Sequence, residues 1–197
     1  MANSERSQQI ETLKEELNAS SLRAKALFNN YSSDQMLRRP ASGGWSAAEC
    51  VEHLALTTRL FLPDLDAARQ KGARESFLSN APFKCDIVGG ILLKMVGPEG
   101  RFKVKATKGV PATITSADST LKNFLTSQDE LEGRLEGVAA ISLDNMKVPS
   151  PFNPIISYNI YSLLRIIEAH QRRHLIQAEK ALGLTSPLPH ETQPFKD

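Results

Sequence analysis

Apolar residues recur at three-to-four spacing in four stretches of this chain, and each reads as an amphipathic helix. The first runs from about Ser4 to Asn30, marked by Ile10, Leu13, Leu17, Leu22, Leu27 and Phe28. The second opens at Ser46, where Ser46-Ala47-Ala48-Glu49 is a capping box: the serine hydroxyl accepts from the Glu49 amide and the carboxylate reaches back. Gly43 and Gly44 before it suit a tight turn, and Trp45 occupies the place of a hydrophobic staple. This helix continues towards Lys71, with Pro63 as an internal kink and Gly72 as its stop. The third covers Ala117 to Leu135, stopped near Gly137, and the fourth Ser157 to Leu182, ending at Gly183.

Between the second and third helices, Pro82, Gly89, Gly90, Gly97, Pro98, Gly100, Gly109 and Pro111 break up any long periodicity. Within this stretch Ile87–Val96 suits a short helix, and Arg101–Thr107, alternating apolar and basic residues, suits an extended segment. Lys147–Pro154, with three prolines, reads as a linker into the last helix, and residues 184–197 as a Pro-rich tail. The pattern predicts an all-α protein, a four-helix bundle with a long irregular connection between helices two and three. Residues 1–197 form one domain in this reading, with a core of about 5–183. So long a connection suits second and third helices that are not hairpin neighbours.

Composition narrows the class. Apolar content of 41% and charged content of 23% are those of a soluble globular chain. A net charge of +2, with both signs mixed along the sequence, excludes the basic stripe expected of a nucleic-acid binder. Ile87–Val96 is the most apolar run, well short of the roughly 20 residues needed to span a bilayer, so no membrane partner is expected. Two cysteines, Cys50 and Cys85, make no disulfide framework, and the polar N-terminus lacks the apolar core of a signal peptide. A cytoplasmic location follows as the expectation.

The candidate chemistry lies in the histidines. His170 and His174, four residues apart, share one helix face, and that face is the apolar one, with Leu163, Ile167, Ala178 and Ala181. A lone histidine on such a face is ordinarily a core residue satisfied by its neighbours. Two adjacent buried imidazoles are costly without a shared partner, and a metal ion is an economical one. His53, on the second helix, would complete three nitrogens with an open fourth position, the ligand count of a catalytic ion. His190 sits in the tail and is read as exposed.

The residues around the triad limit the chemistry. Gln171 stands where the glutamate of a His-Glu-x-x-His protease would be, which disfavours that mechanism. Glu168, about 160° around the helix from His170, reads as solvated. Glu49, one turn before His53, reads as a cap rather than a support for the imidazole ring, and Cys50 as a buried structural thiol. Gln171 and Gln177 suit an exposed helix edge. Arg101, Lys103, Lys105 and Lys108 read as a solvated face, and Arg172 and Arg173 as surface ion-pairing groups.

Gly44-Trp45-Ser46-Ala47-Ala48-Glu49-Cys50-Val51-Glu52-His53-Leu54 resembles the W-S-x-x-E-x-x-x-H-L signature that opens the second helix of DinB-like proteins. Glu168 to His174 resembles their H-x-x-x-H in the last helix. The resemblance, over roughly residues 5 to 183, implies a DinB/YfiT-like four-helix bundle with His53, His170 and His174 as a divalent-metal triad, commonly zinc or nickel. It implies a small-molecule substrate, frequent homodimers, and either S-transfer from a low-molecular-weight thiol (bacillithiol, mycothiol or glutathione) or metal-dependent hydrolysis. A non-catalytic metal-binding or small-ligand-binding bundle is the remaining alternative.

Overall fold

The four predicted helices are the long elements of the structure, a computed structural model that describes residues 3–72, 81–100, 109–111, 113–136 and 138–185. They are α1 (Asn3–Asn30), α3 (Ala47–Gly72), α5 (Ala117–Leu135) and α6 (Ile160–Ala181). Two short helices, α2 (Ser33–Leu37) and α4 (Ile87–Val96), lie in the connections. Strands β1 (Lys147–Pro149) and β2 (Ser157–Asn159) pair antiparallel, Val148 opposite Tyr158. Arg101–Lys108, Gly137 and His190 fall outside the described residues, as does all but the start of the tail.

Local chemistry sets the boundaries. At α3 the capping box forms as the sequence predicts, with Glu49 N–H donating to Ser46 Oγ at 3.1 Å and Ser46 N–H to Glu49 Oε2 at 2.8 Å. Gly43 and Gly44 take positive φ in the turn before it. The helix runs on through Pro63, whose missing N–H removes one internal hydrogen bond. At the end of α6, the Gly183 amide bonds the Lys180 carbonyl and the Leu184 amide the Glu179 carbonyl, a Schellman motif around Gly183 at φ +85°.

Several expectations need correction. The last helix starts at Ile160 and not Ser157, because Asn159 caps it by accepting from Ser162 N–H at 2.8 Å, while Ser157–Asn159 pairs in β2. The presumed linker at Lys147 contributes β1 of that pair. The short helix α2 was not foreseen, although Ser32 and Gln35 form a capping box of their own. In α1 the buried stripe is Ile10, Leu13, Leu17, Ala24 and Leu27, and Leu22 is exposed.

The core has two apolar layers. One joins Leu13 and Leu17 of α1, Phe61 and Leu65 of α3, Leu131 and Leu135 of α5, and Leu163 and Ile167 of α6. The other joins Ala24 and Leu27, Val51 and Leu54, Phe124, and Leu175 with Ala178. Along α1 and α6 the first layer precedes the second, whereas along α3 and α5 the order reverses. So α1 and α6 run one way and α3 and α5 the other. Parallel α3 and α5 need a crossover between them, which is the physical reason for the long second connection.

A polar waist separates the layers. Gln128 of α5 and Gln171 of α6 exchange amide hydrogen bonds of 2.6 and 3.1 Å. Gln128 also donates to the Leu17 carbonyl of α1 at 3.2 Å, and Gln171 to Thr58 Oγ1 of α3 at 3.4 Å. One buried amide pair thereby touches all four long helices. Gln171 is buried, not on an exposed edge as its sequence context suggested.

Candidate metal centre

The same waist carries the histidines. His53 lies in α3, just before Thr57 and Thr58, and His170 and His174 flank Gln171 on α6. Helices α3 and α6 pack directly, so the i, i+4 pair of one faces the single histidine of the other. One ligand nitrogen from each of the three lies within 4.8 Å of the other two. The ring centroids are 4.5 Å apart for His53–His174 and for His170–His174, and 5.1 Å for His53–His170. Among the described residues this is the one such cluster of three or more potential ligands.

Several features match what a divalent ion requires. His53 Nε2 and His170 Nε2 are 3.3 Å apart. Two nitrogens each about 2.0–2.1 Å from one tetrahedral ion would stand about 3.3 Å from each other. His174 Nδ1 is buried without a hydrogen-bond partner among the described residues, a costly arrangement for a polar atom. All three imidazoles are held neutral, the protonation state a ligand needs. Burial pushes His53 below its usual value, a bond to the Gly109 carbonyl partly opposing it. Burial, with the neighbouring His174, His53 and Arg173, takes His170 well below. Burial first, then His53 and Arg173, lowers His174 to about 3, against a smaller opposing hydrogen bond to Gln177.

Trp45 closes one side of the cluster, its ring centroid 4.7 Å from that of His53 and 5.9 Å from that of His174. A cleft of about 430 Å³ runs beside Arg39, Ser46, Glu49, Pro111 and Thr113. Its lining includes Glu49, one turn before His53, and Pro111, two residues after Gly109. A larger groove, of about 580 Å³, lies between the start of α1 and Tyr161 and Arg165 near the start of α6. That places it at the far end of α6 from His174.

The carboxylates nearest the triad in sequence are engaged elsewhere. Glu49 closes its capping box and pairs with Arg39, whose hydrogen bond is the main cause holding the carboxyl below the usual range. The cap reading of Glu49 therefore stands. Glu52 accepts from Asn123 at 3.2 Å. Glu168 is not solvated as expected: it is fully buried and pairs with Arg165 and Arg172. Burial raises its pKa, with Arg172 opposing. Arg173 donates to the carbonyls of Met95, Gly97 and Gly100, closing the end of α4. Cys50 is buried, and burial pushes its thiol up to about 12, which suits a structural residue.

The group that supports His53 comes from the second connection. Its Nδ1 lies 2.6 Å from the Gly109 carbonyl oxygen. Sequence reasoning marked Gly109 only as a helix breaker, since a main-chain acceptor leaves no mark in a side-chain pattern. The buried partnership of Gln128 with Gln171 was missed as well; its one visible sign was a glutamine on the inner face of each helix.

The sequence profile of the DinB superfamily matches residues 12–178, a span that contains all three histidines. The chain belongs to the DinB superfamily. Comparison with curated proteins gave no match, nor did comparison with solved structures. Membership agrees with the helix order and with three converging histidines, a set that could hold a divalent ion. No described helix is long and apolar enough to cross a membrane.

Proposed function

We propose that this DinB-superfamily chain is a metal-dependent enzyme whose His53, His170 and His174 hold one divalent ion, zinc or nickel, beside a site for a small-molecule substrate. The observation that carries this reading is the convergence of three neutral imidazole nitrogens with no carboxylate among them. An ion held by neutral ligands keeps its full charge, and such a centre lowers the pKa of a water or thiol in its open position. The chain's own contribution is to keep the imidazoles deprotonated by burial, to fix the His53 ring through Gly109, and to shield one side with Trp45.

A low-molecular-weight thiol is the preferred nucleophile in this proposal. Attack by water gains from a nearby general base, and Glu49, Glu52 and Glu168 are each committed to other partners. A thiol is the stronger acid and needs less help. The reaction class is then S-transfer to an electrophilic substrate. A homodimer and a cytoplasmic setting belong to the same proposal; light scattering of the purified protein tests the first and cell fractionation the second.

The test is a panel of bacillithiol, mycothiol and glutathione against several electrophiles, with ester and amide hydrolysis run in parallel. The proposal expects thiol-dependent turnover that disappears with chelator and in His170→Ala. Turnover with water alone would make the protein a hydrolase. No metal-dependent turnover would leave a metal-binding bundle without catalysis.

A further inference from the structure

Among the described residues of the second connection, the Gly109 carbonyl oxygen meets the triad at His53. We propose that Gly109 is a positioning residue for the histidine centre. Its carbonyl holds His53 as the Nδ1–H tautomer, leaving the Nε2 lone pair for the site shared with His170 and His174. The consequence for metal affinity rests on the metal-binding reading above; the tautomer does not.

A carbonyl oxygen can only accept, so the 2.6 Å contact requires His53 Nδ1 to carry the hydrogen. In a neutral imidazole the other nitrogen is then bare. That other nitrogen, Nε2, is the one 3.3 Å from His170 Nε2. In water the Nε2–H tautomer of histidine is the more populated, and it would point a proton at the place where a ligand lone pair is needed. The Gly109 carbonyl reverses that preference.

Only glycine can bring the carbonyl there. Gly109 has φ +66°, and a Cβ at this position would lie 2.6 Å from Thr57 Cγ2 and 3.7 Å from His53 Nδ1. Thr57 has little freedom to yield. It is buried, it is β-branched, and its hydroxyl donates to the His53 carbonyl at 2.8 Å. Any side chain at residue 109 therefore meets both an unfavourable backbone conformation and a fixed neighbour. At the other flank of residues 101–108, Arg173, adjacent to His174, holds the Gly100 carbonyl at 2.9 Å. Both flanks of that stretch thus end on residues of the triad or beside it.

The experiment uses the full chain with ¹⁵N-labelled histidine, and zinc alone as the probe. In metal-free wild type, the ring-nitrogen shifts of His53 are expected to show Nδ1 protonated and Nε2 bare. Gly109→Ala is expected to mix the tautomers and to weaken zinc binding, measured against a competing chelator, by about 10–100-fold. Gly183→Ala is the matched control: it has φ +85° and an open surrounding, and should leave zinc affinity unchanged. Adding Thr57→Ser to Gly109→Ala removes the methyl that the new Cβ meets and should recover part of the affinity. An Nε2–H His53 in wild type overturns the proposal, and that measurement stands even where Gly109→Ala fails to fold. Unchanged tautomer and affinity in a folded Gly109→Ala overturn it too. Wild type that takes up no zinc would instead overturn the metal-binding reading, with the tautomer still deciding the role of Gly109.

Discussion

At the scale of single residues, burial governs the chemistry of this chain. A histidine in an unfolded chain titrates near 6.5, and His53, His170 and His174 all lie below that in the folded protein, His174 at about 3. As pH falls below about 6.5 the unfolded chain binds protons that the folded one refuses, so the metal-free protein should lose stability between there and about pH 3. Urea midpoints at pH 7 and pH 5 check this, and His170→Asn should flatten the slope. Trp45 is the single tryptophan and sits against two of the three imidazoles. Cobalt or nickel added to stripped protein should quench its emission, and His174→Ala should abolish the quenching. The triad was legible in the sequence because an i, i+4 pair and a capping box fix where histidines lie on their helices. Glu168 was misread because a single apolar stripe implies one buried face, whereas α1, α3 and α4 all pack on α6.

At the scale of elements, the polar waist deserves a direct test of its energetics. Replacing Gln128 with leucine leaves the buried Gln171 amide without its reciprocal partner, a loss of about 1–3 kcal/mol. Gln128→Leu with Gln171→Leu removes both amides and should destabilise by less than the sum of the single changes, read as non-additive shifts in thermal unfolding. The long helices were legible from their apolar spacing and caps. The shorter elements were less so, for different reasons. Strands of three residues carry no alternation worth reading, and β1 and β2 pair antiparallel across the turn between them. Helix α2 did announce itself, by the Ser32–Gln35 capping box, but five residues are too few for a stripe. The start of α6 at Asn159 depends on contacts to the Lys84 and Asp144 carbonyls, which no local pattern contains.

At the scale of the whole molecule, the paired directions of α1 with α6 and α3 with α5 accompany the convergence of the three histidines at one level of the bundle. An ion bound there ties α3 to α6 and stabilises the fold by mass action. At a free concentration one hundred times its Kd the gain is about 2.7 kcal/mol, and for a chain of this size that is a rise of roughly 5–10 °C in Tm. Chelation should reverse it, and His53→Ala should respond to neither. Whether His53, His170 and His174 bind one divalent ion is read most directly from the metal content of protein purified without a histidine tag. Wild type is expected to carry close to one zinc or nickel per chain and the His170→Ala/His174→Ala variant to lose it; substoichiometric metal that the variant leaves unchanged would rule the site out.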